Sequence, residues 1–368
     1  MVCPIIEKYA RVLVDYSVRV KKGDLVIIRA ESNEAQPLIK EIYKRVLELG
    51  ANPVVRCSMN ELNEVYFKYA SDEQLEYIDP MSKVEYEKAD KFITIGAPYN
   101  VKNMATANKT KMAKRSSVTR ELSSLLLERS AKGDLDWVIA DYPTNALAQE
   151  AKMSLDDYKE FVKNACYLDL DNPIEKWEEI GREQTKVANY LNKTSKIRFV
   201  GEKTDITFST KGRTWVSCEG HFNFPDGEIF TSPVEDSANG YIYFDFPAIY
   251  RGSESHKILL KFENGKVIEA YAEKGNDFLQ SMLNIDEGAK FVGEIAIGTN
   301  NRIQNITGNI LFDEKIGGSI HMALGASYPE TGGKNVSGLH WDIIKNMKNG
   351  GEIYADDVLI YKDGSFLI

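Results

Sequence analysis

The sequence predicts two unlike halves: an α/β N-terminal domain on a mostly parallel sheet, then a largely β (α+β) C-terminal domain that carries a metal site. Three observations lead there. Apolar strand-like runs alternate with helical periodicity up to about residue 192, and from Lys196 onward short β-branched runs are broken by turn pairs. The histidines and acids with ligand chemistry gather in the last third, from Leu311 through His321, Tyr328, His340 and Asp342. With 368 residues, two domains that each bury a core are the expected arrangement. The change of periodicity puts the boundary near residues 193–196, dividing the chain into 1–194 and 195–368.

Each element of the first half follows from its pattern. Ile5, Ile6, Tyr9, Val12, Leu13 and Tyr16 fall at helical spacing, so a helix spans 5–18. Leu25-Val26-Ile27-Ile28 is a continuous apolar run suited to a strand covered on both faces. A helix from about Glu34 to Leu49 stops at Gly50, and Pro53-Val54-Val55 begins the next strand, completing a βαβ unit. Helical stretches over 60–89, a strand over 91–96, a helix over about 110–129 and a strand over 136–140 continue the alternation, which implies a mostly parallel sheet. Ser154 stands three residues before Asp157 as a capping pair. Asn172-Pro173 with Glu175 opens a further helix that runs to about Asn192.

In the second half, Lys211-Gly212, Asn264-Gly265 and Asp363-Gly364 have the composition of hairpin turns.

Composition narrows the function. Against 46 Lys and Arg stand 55 Asp and Glu, a formal charge of −9, so nucleic acid and anionic membranes are not expected partners. Cys3, Cys57, Cys166 and Cys218 are far apart and form no Cys-x-x-Cys pair, so they read as reduced core thiols. The N-terminus lacks an apolar signal core, and no apolar run approaches the roughly 20 residues of a membrane span. A cytoplasmic protein is the expectation. The first half has neither Gly-x-Gly-x-x-Gly nor a Gly-Lys-Ser/Thr loop, so it reads as a scaffold.

The acids and histidines of the second half carry the chemistry. Glu228, taken alone, reads as an exposed turn acid before an apolar triplet. Glu294 interrupts the apolar run 291–297, so it either faces solvent or has a cation beside it. His321 alone reads as a core histidine. His340 and Asp342, two apart in a strand, share a face and can point at one centre. His221 and His256 read as surface histidines, Asp313 and Lys315 as a loop ion pair or solvated charges, and 332–335 as a flexible turn near the pocket.

Six phrases together resemble a known family. Pro225 through Pro233, Gly293-Glu294-Ile295-Ala296, Leu311 through Gly318, His321-Met322-Ala323-Leu324-Gly325, Tyr328-Pro329-Glu330 and His340-Trp341-Asp342 are similar, in this order, to the signature segments of the thermophilic-type metalloaminopeptidases. The resemblance implies metal ligands at Glu228, Glu294, His321, His340 and Asp342, with Tyr328 beside them. It also implies two divalent ions, a carboxylate bridging them, and a homodimer. Carboxylates and imidazoles without cysteine suit zinc, cobalt, manganese or magnesium in an open site. The activity implied is hydrolysis of the N-terminal peptide bond of peptides through a metal-activated water.

In that reading Tyr328 donates a hydrogen bond to the developing oxyanion. Glu228, Glu294 or Glu314 moves the proton to the leaving amine, and Glu314 equally suits a partner that orients His321. Trp341 stands where relatives often carry a smaller aliphatic residue, so it either narrows a side pocket or packs away from the metals. Alternatives on the same residues are an amidase or deacylase, and a peptide- or metal-binding protein without turnover.

Overall fold

A computed structural model describes residues 3–250 and 252–368. The chain divides into two compact units. The first takes residues 1–174 and 220–225, and the second takes 175–219 and 226–368.

In the first unit, strands β1 (Leu25–Ala30), β2 (Asn52–Cys57), β3 (Lys91–Gly96) and β4 (Asp136–Asp141) pair in the order β2-β1-β3-β4, all parallel. This is the parallel sheet the alternation implies. Helices Gln36–Glu48 and Lys109–Ala131 follow the predicted spans, and the 60–89 stretch holds three short helices, Leu62–Tyr69, Asp72–Glu76 and Pro80–Lys88. The opening helix differs from a regular one. After Pro4–Arg11 it widens into a π-helix over Val12–Ser17, closed by the Val18 N–H on the Leu13 carbonyl, and Val12, Leu13, Val14, Tyr16 and Ser17 are all buried. Ser154 caps Leu155–Ala165 through the Asp157 N–H, as its spacing predicts.

The helix Pro173–Leu191 explains why the division falls at its head and not near residue 195. Its Val187, Ala188 and Leu191 belong to the core of the second unit. Periodicity marks where helix gives way to strand, whereas burial decides which core a helix joins.

The second unit continues with β5 (Lys196–Gly201), β6 (Thr204–Ser209) and β7 (Val216–Cys218). The two-residue β8 (Asn223–Phe224) returns to the first unit, where it pairs with β4. Then come β9 (Glu228–Thr231), β10 (Asn239–Phe244), β11 (Ala248–Tyr250), β12 (Ser253–Glu263), β13 (Lys266–Lys274), β14 (Val292–Gly298), β15 (Ser319–Gly325), β16 (His340–Asn346), β17 (Glu352–Ala355), β18 (Val358–Lys362) and β19 (Ser365–Phe366). One antiparallel sheet runs β11-β12-β10-β6-β5-β17-β18-β19, with β13 on β12. The other runs β16-β15-β14-β9-β7. A shared core lies between them, with Phe199, Phe208, Ile242 and Leu260 from the first and Ile295, Met322, Leu324 and Trp341 from the second.

Two of the three predicted turns are hairpins. Asn264-Gly265 joins β12 to β13 and Asp363-Gly364 joins β18 to β19, each with both residues at positive φ, as a tight two-residue turn requires. Lys211-Gly212 is not one, because β6 and β7 lie in different sheets. Cys3 and Cys57 are exposed, not core thiols, while Cys166 is buried and Cys218 half-buried; none of the four is in a disulfide. Among the described residues no helix is long and apolar enough to cross a membrane.

Candidate metal centre

The centre is built on one face of the β16-β15-β14-β9-β7 sheet, and register decides which residues reach it. Glu294 pairs with Ala323, and Ala323 with Asp342, so these three form one row across β14, β15 and β16. Directly opposed residues share a face, as do residues two apart on a strand. His321 and His340 therefore lie on the face of Ala323 and Asp342. Ala296 pairs with both His321 and Phe230 and so carries the same face to β9, where Glu228 follows at two residues from Phe230. Cys218 on β7 stands opposite Glu228. The other face presents Ile229, Ile295, Ile297, Ile320, Met322, Leu324, Trp341 and Ile343 to the core.

A bulge puts Glu294 on the right face. Val292 and Glu294 are two apart and would share a face in a regular strand, yet Val292 pairs with Leu324 in the core and Glu294 with Ala323 in the site. Gly293 is the extra residue that makes the switch. A Cβ there would sit 2.1 Å from the Ala326 carbonyl oxygen, so only glycine fits. This is how a carboxylate comes to interrupt an apolar strand. Its cations are beside it: Glu294 is 3% exposed, with Oε1 3.6 Å from His321 Nε2 and Oε2 3.3 Å from His340 Nε2.

All five expected ligands come together. Glu228 Oε2 lies 3.1 Å from His321 Nε2, and Asp342 Oδ2 lies 3.6 Å from His340 Nε2. Ligand atoms of Glu228, Glu294 and His321 fall within 4.8 Å of one another, and so do those of Glu294, His340 and Asp342. Glu228 is buried, not an exposed turn acid. Trp341 packs away from the centre, against Phe278 and Tyr250 with ring centroids 5.5 and 6.2 Å apart.

The donors fit a divalent ion by an observation independent of their type. Glu228 Oε2 and Asp342 Oδ1 are buried without an aligned hydrogen-bond partner, although unsatisfied buried carboxylate oxygens are costly. His340 Nδ1 lies 2.9 Å from the Ala326 carbonyl oxygen, a contact that holds the ring proton on Nδ1 and leaves the Nε2 lone pair facing the carboxylates. Without an ion, protons do the neutralising. Burial pulls His340 down, but Asp342 and Glu294 outweigh it and hold the imidazole up at about 10. His321 is likewise driven well above its ordinary value, burial being outweighed by Glu228 and Glu294. Burial opposes ionisation of Glu228, yet Lys315 and His321 bring it down to about 2.

Tyr328 and Glu314 border this core. The Tyr328 ring stands edge-on to His340 at 5.0 Å and to Phe230 at 5.3 Å, and the residue is 37% exposed. Crowding by protein, then the carboxylates Glu294 and Asp342, push its phenol well above the usual range, so it is a hydrogen-bond donor at neutral pH. Glu314 lies within 4.8 Å of His321 and Asp342 ligand atoms. Burial first, with Glu228 and Asp342 adding and Lys315 opposing, lifts it to about 8. It does not orient His321 through Nδ1, because that nitrogen is buried without a hydrogen-bond partner.

Lys315 and Asp313 are neither solvated nor paired with each other. Lys315 is fully buried, 2.5 Å from Glu228 Oε1 and 2.8 Å from Glu314 Oε1. Asp313 accepts hydrogen bonds from the Thr307 and Gly308 N–H groups and fixes the loop before it. His221 is half-buried and stacks on Tyr16 at 4.7 Å, and half-buried His256 lies 3.3 Å from Glu254. The 332–335 turn is tied down by the Lys334 N–H on Glu235 and by Asn335 Nδ2 on the Gly288 and Gly325 carbonyls.

Residues 4–366 match the model of the family described as thermophilic metalloprotease (M29). The chain belongs to this family. It is 28% identical to aminopeptidase 2 of Geobacillus stearothermophilus over 88% of this chain and 84% of the relative. It is 24% identical to aminopeptidase AmpS of Bacillus subtilis over 96% and 92%. In structure it is similar to AmpT from Thermus thermophilus, with a TM-score of 0.86, 22% identity and 99% of each chain covered. A 2,5-dihydroxypyridine dioxygenase from Pseudomonas putida shares the fold at a TM-score of 0.58 and 15% identity, over 99% of this chain and 96% of that one. The fold is thus not tied to one chemistry.

Proposed function

We propose that this metal-dependent aminopeptidase holds two divalent ions, one by Glu228 and His321 and the other by His340 and Asp342, with Glu294 bridging them. One observation carries the reading: the two triads share Glu294, whose Oε1 lies toward His321 and whose Oε2 lies toward His340. Zinc, cobalt, manganese and magnesium all suit such donors. Ions bound there supply Lewis acidity, lowering the pKa of a water toward about 7 and polarising a carbonyl.

The chain's own groups do the rest. Glu228, Glu294 and Asp342 give a free α-amine an acidic surround, which selects the first residue of a peptide. Glu314 lies outside the two triads that share Glu294 yet within reach of His321 and Asp342. It is the carboxylate left to take a proton from the attacking water and return it to the leaving amine. The Tyr328 hydroxyl donates to the carbonyl oxygen as that oxygen gains charge. Trp341 plays no part in selecting substrates, since it faces the core. A homodimer, as the family resemblance implies, and a place in the cytoplasm complete the reading.

The test is hydrolysis of an aminoacyl amide. Activity is lost with chelator and regained with cobalt, zinc or manganese, and an N-acetylated substrate stays intact. Cleavage of the blocked substrate at a comparable rate would replace the aminopeptidase reading by an amidase or deacylase on the same residues.

A further inference from the structure

Beside the two triads lies a third set of donors. Cys218 Sγ, an Asp226 oxygen and a Glu228 oxygen fall within 4.8 Å of one another. A thiol and two carboxylates at that spacing can hold a divalent cation. A cation is already next to them. Lys315 Nζ lies 3.4 Å from Asp226 Oδ1, 2.5 Å from Glu228 Oε1 and 2.8 Å from Glu314 Oε1, and its side chain is 0% exposed. An ammonium has three hydrogens, and here three carboxylates surround it.

We infer that Lys315 is a tethered counter-cation filling the ion position formed by Cys218, Asp226 and Glu228, so that the centre takes two ions instead of three. It also acts as a positioning residue, because holding Glu228 by Oε1 turns Oε2 toward His321. The inference rests on the two-ion reading above.

Charge supports it. When all are ionised, Asp226, Glu228, Glu294, Glu314 and Asp342 bring five negative charges to one buried region, and Lys315 with two bound divalent ions would bring five positive ones. Buried charge is tolerated only when matched. A third divalent ion in place of Lys315 would leave a surplus positive charge unless Cys218 gave up its proton.

The backbone shows that the lysine is held in place and has not merely drifted there. Asn300, 2% exposed, donates its backbone N–H to the Lys315 carbonyl at 3.0 Å and its side-chain amide to the Asp226 carbonyl at 3.0 Å. One residue thereby ties the loop that carries the cation to the loop that carries the anions. Gly227, between Asp226 and Glu228, packs so closely that a Cβ would sit 2.8 Å from Asn300 Cβ.

The experiment strips the full chain of metal and titrates wild type and Lys315→Ala with cobalt(II) alone, following stoichiometry and the near-ultraviolet spectrum. Wild type is expected to take two equivalents with no cobalt–thiolate charge-transfer band. Lys315→Ala is expected to take a third and to show that band, and adding Cys218→Ser removes both. A folded Lys315→Ala protein that stops at two equivalents without the band overturns the inference and leaves the two-ion reading standing. A thiolate band in wild type also overturns it, since the pocket would then admit an ion despite Lys315. Wild type that binds no cobalt overturns the two-ion reading itself. Should Lys315→Ala not fold, Lys315→Met fills the space without charge. It is expected to show no thiolate band and to bind its ions about 10- to 100-fold more weakly, the usual effect of losing a partner of a ligand. Unchanged affinity in that variant counts against the positioning role.

Discussion

His340 and Ala326 are joined by a contact of 2.9 Å between imidazole Nδ1 and carbonyl oxygen. The tautomer of the ring is thereby fixed, and Nε2 is the nitrogen that meets Glu294 and Asp342. Ala326 can do this because its own N–H is anchored on the Leu339 carbonyl at 2.7 Å, next to the start of β16. Two strands of the sheet therefore set the direction of one lone pair.

Replacing His340 by Ala should consequently weaken one ion and spare the other. Calorimetric titration of the metal-free protein is expected to show one tight equivalent where wild type shows two, the remaining ion resting on Glu228, Glu294 and His321. Equal loss of both ions would mean that the two triads are not separate sites.

Glu294→Gln removes the group shared by both triads. Turnover of an aminoacyl amide is expected to fall by more than about a hundredfold, while the circular dichroism spectrum is kept because the amide has the carboxylate's shape. Near-normal kcat would take Glu294 out of the chemistry.

Much of this centre is legible in the chain. The pair His340 and Asp342 is readable because strand alternation makes a two-residue spacing a shared face, and the family phrases supply Glu228, Glu294 and His321. What is not legible depends on register. Cys218, Asp226 and Lys315 carry no local signal: a lysine between Glu314 and Ile316 reads as a surface charge, and only the meeting of two loops through Asn300 buries it. Gly293 is similar, since nothing in the chain says that the extra residue of a bulge falls there. The first unit is legible because parallel strands and their helices repeat a local pattern. The place of Pro173–Leu191 in the second core is not, because amphipathic periodicity says that a helix has a buried face and not what covers it.

Tyr328→Phe tests the hydroxyl with little change in packing, since the ring contacts to His340 and Phe230 persist. A donor that acts only as charge develops is worth about 10²–10³ in kcat. The expected result is a loss of that size with KM and metal content unchanged. A drop confined to KM would assign Tyr328 to substrate binding.

Trp341 separates the fold from the chemistry. It lies between His340 and Asp342 in sequence but is 1% exposed in the core on the opposite face. Trp341→Ala is expected to cost about 3–5 kcal/mol of stability in denaturant unfolding. The two cobalt equivalents should be retained at low temperature. Full stability in the variant would mean that Trp341 is not the core residue its burial implies.

Metal removal should destabilise the second unit, because the ion-free centre leaves Glu228 and Asp342 each close to Glu294, with only Lys315 and the protons on His321 and His340 to offset them. An ion that binds the folded chain and not the unfolded one adds about 2.7 kcal/mol when its free concentration is a hundred times Kd. Differential scanning calorimetry is therefore expected to show a lower Tm for the unfolding of this unit after chelation, with recovery on adding back cobalt or zinc. The same loss of Tm should be much smaller in Glu294→Gln, whose ions are already weakly held. A chelated protein with the Tm of the loaded one would show that these side chains do not gather around an ion.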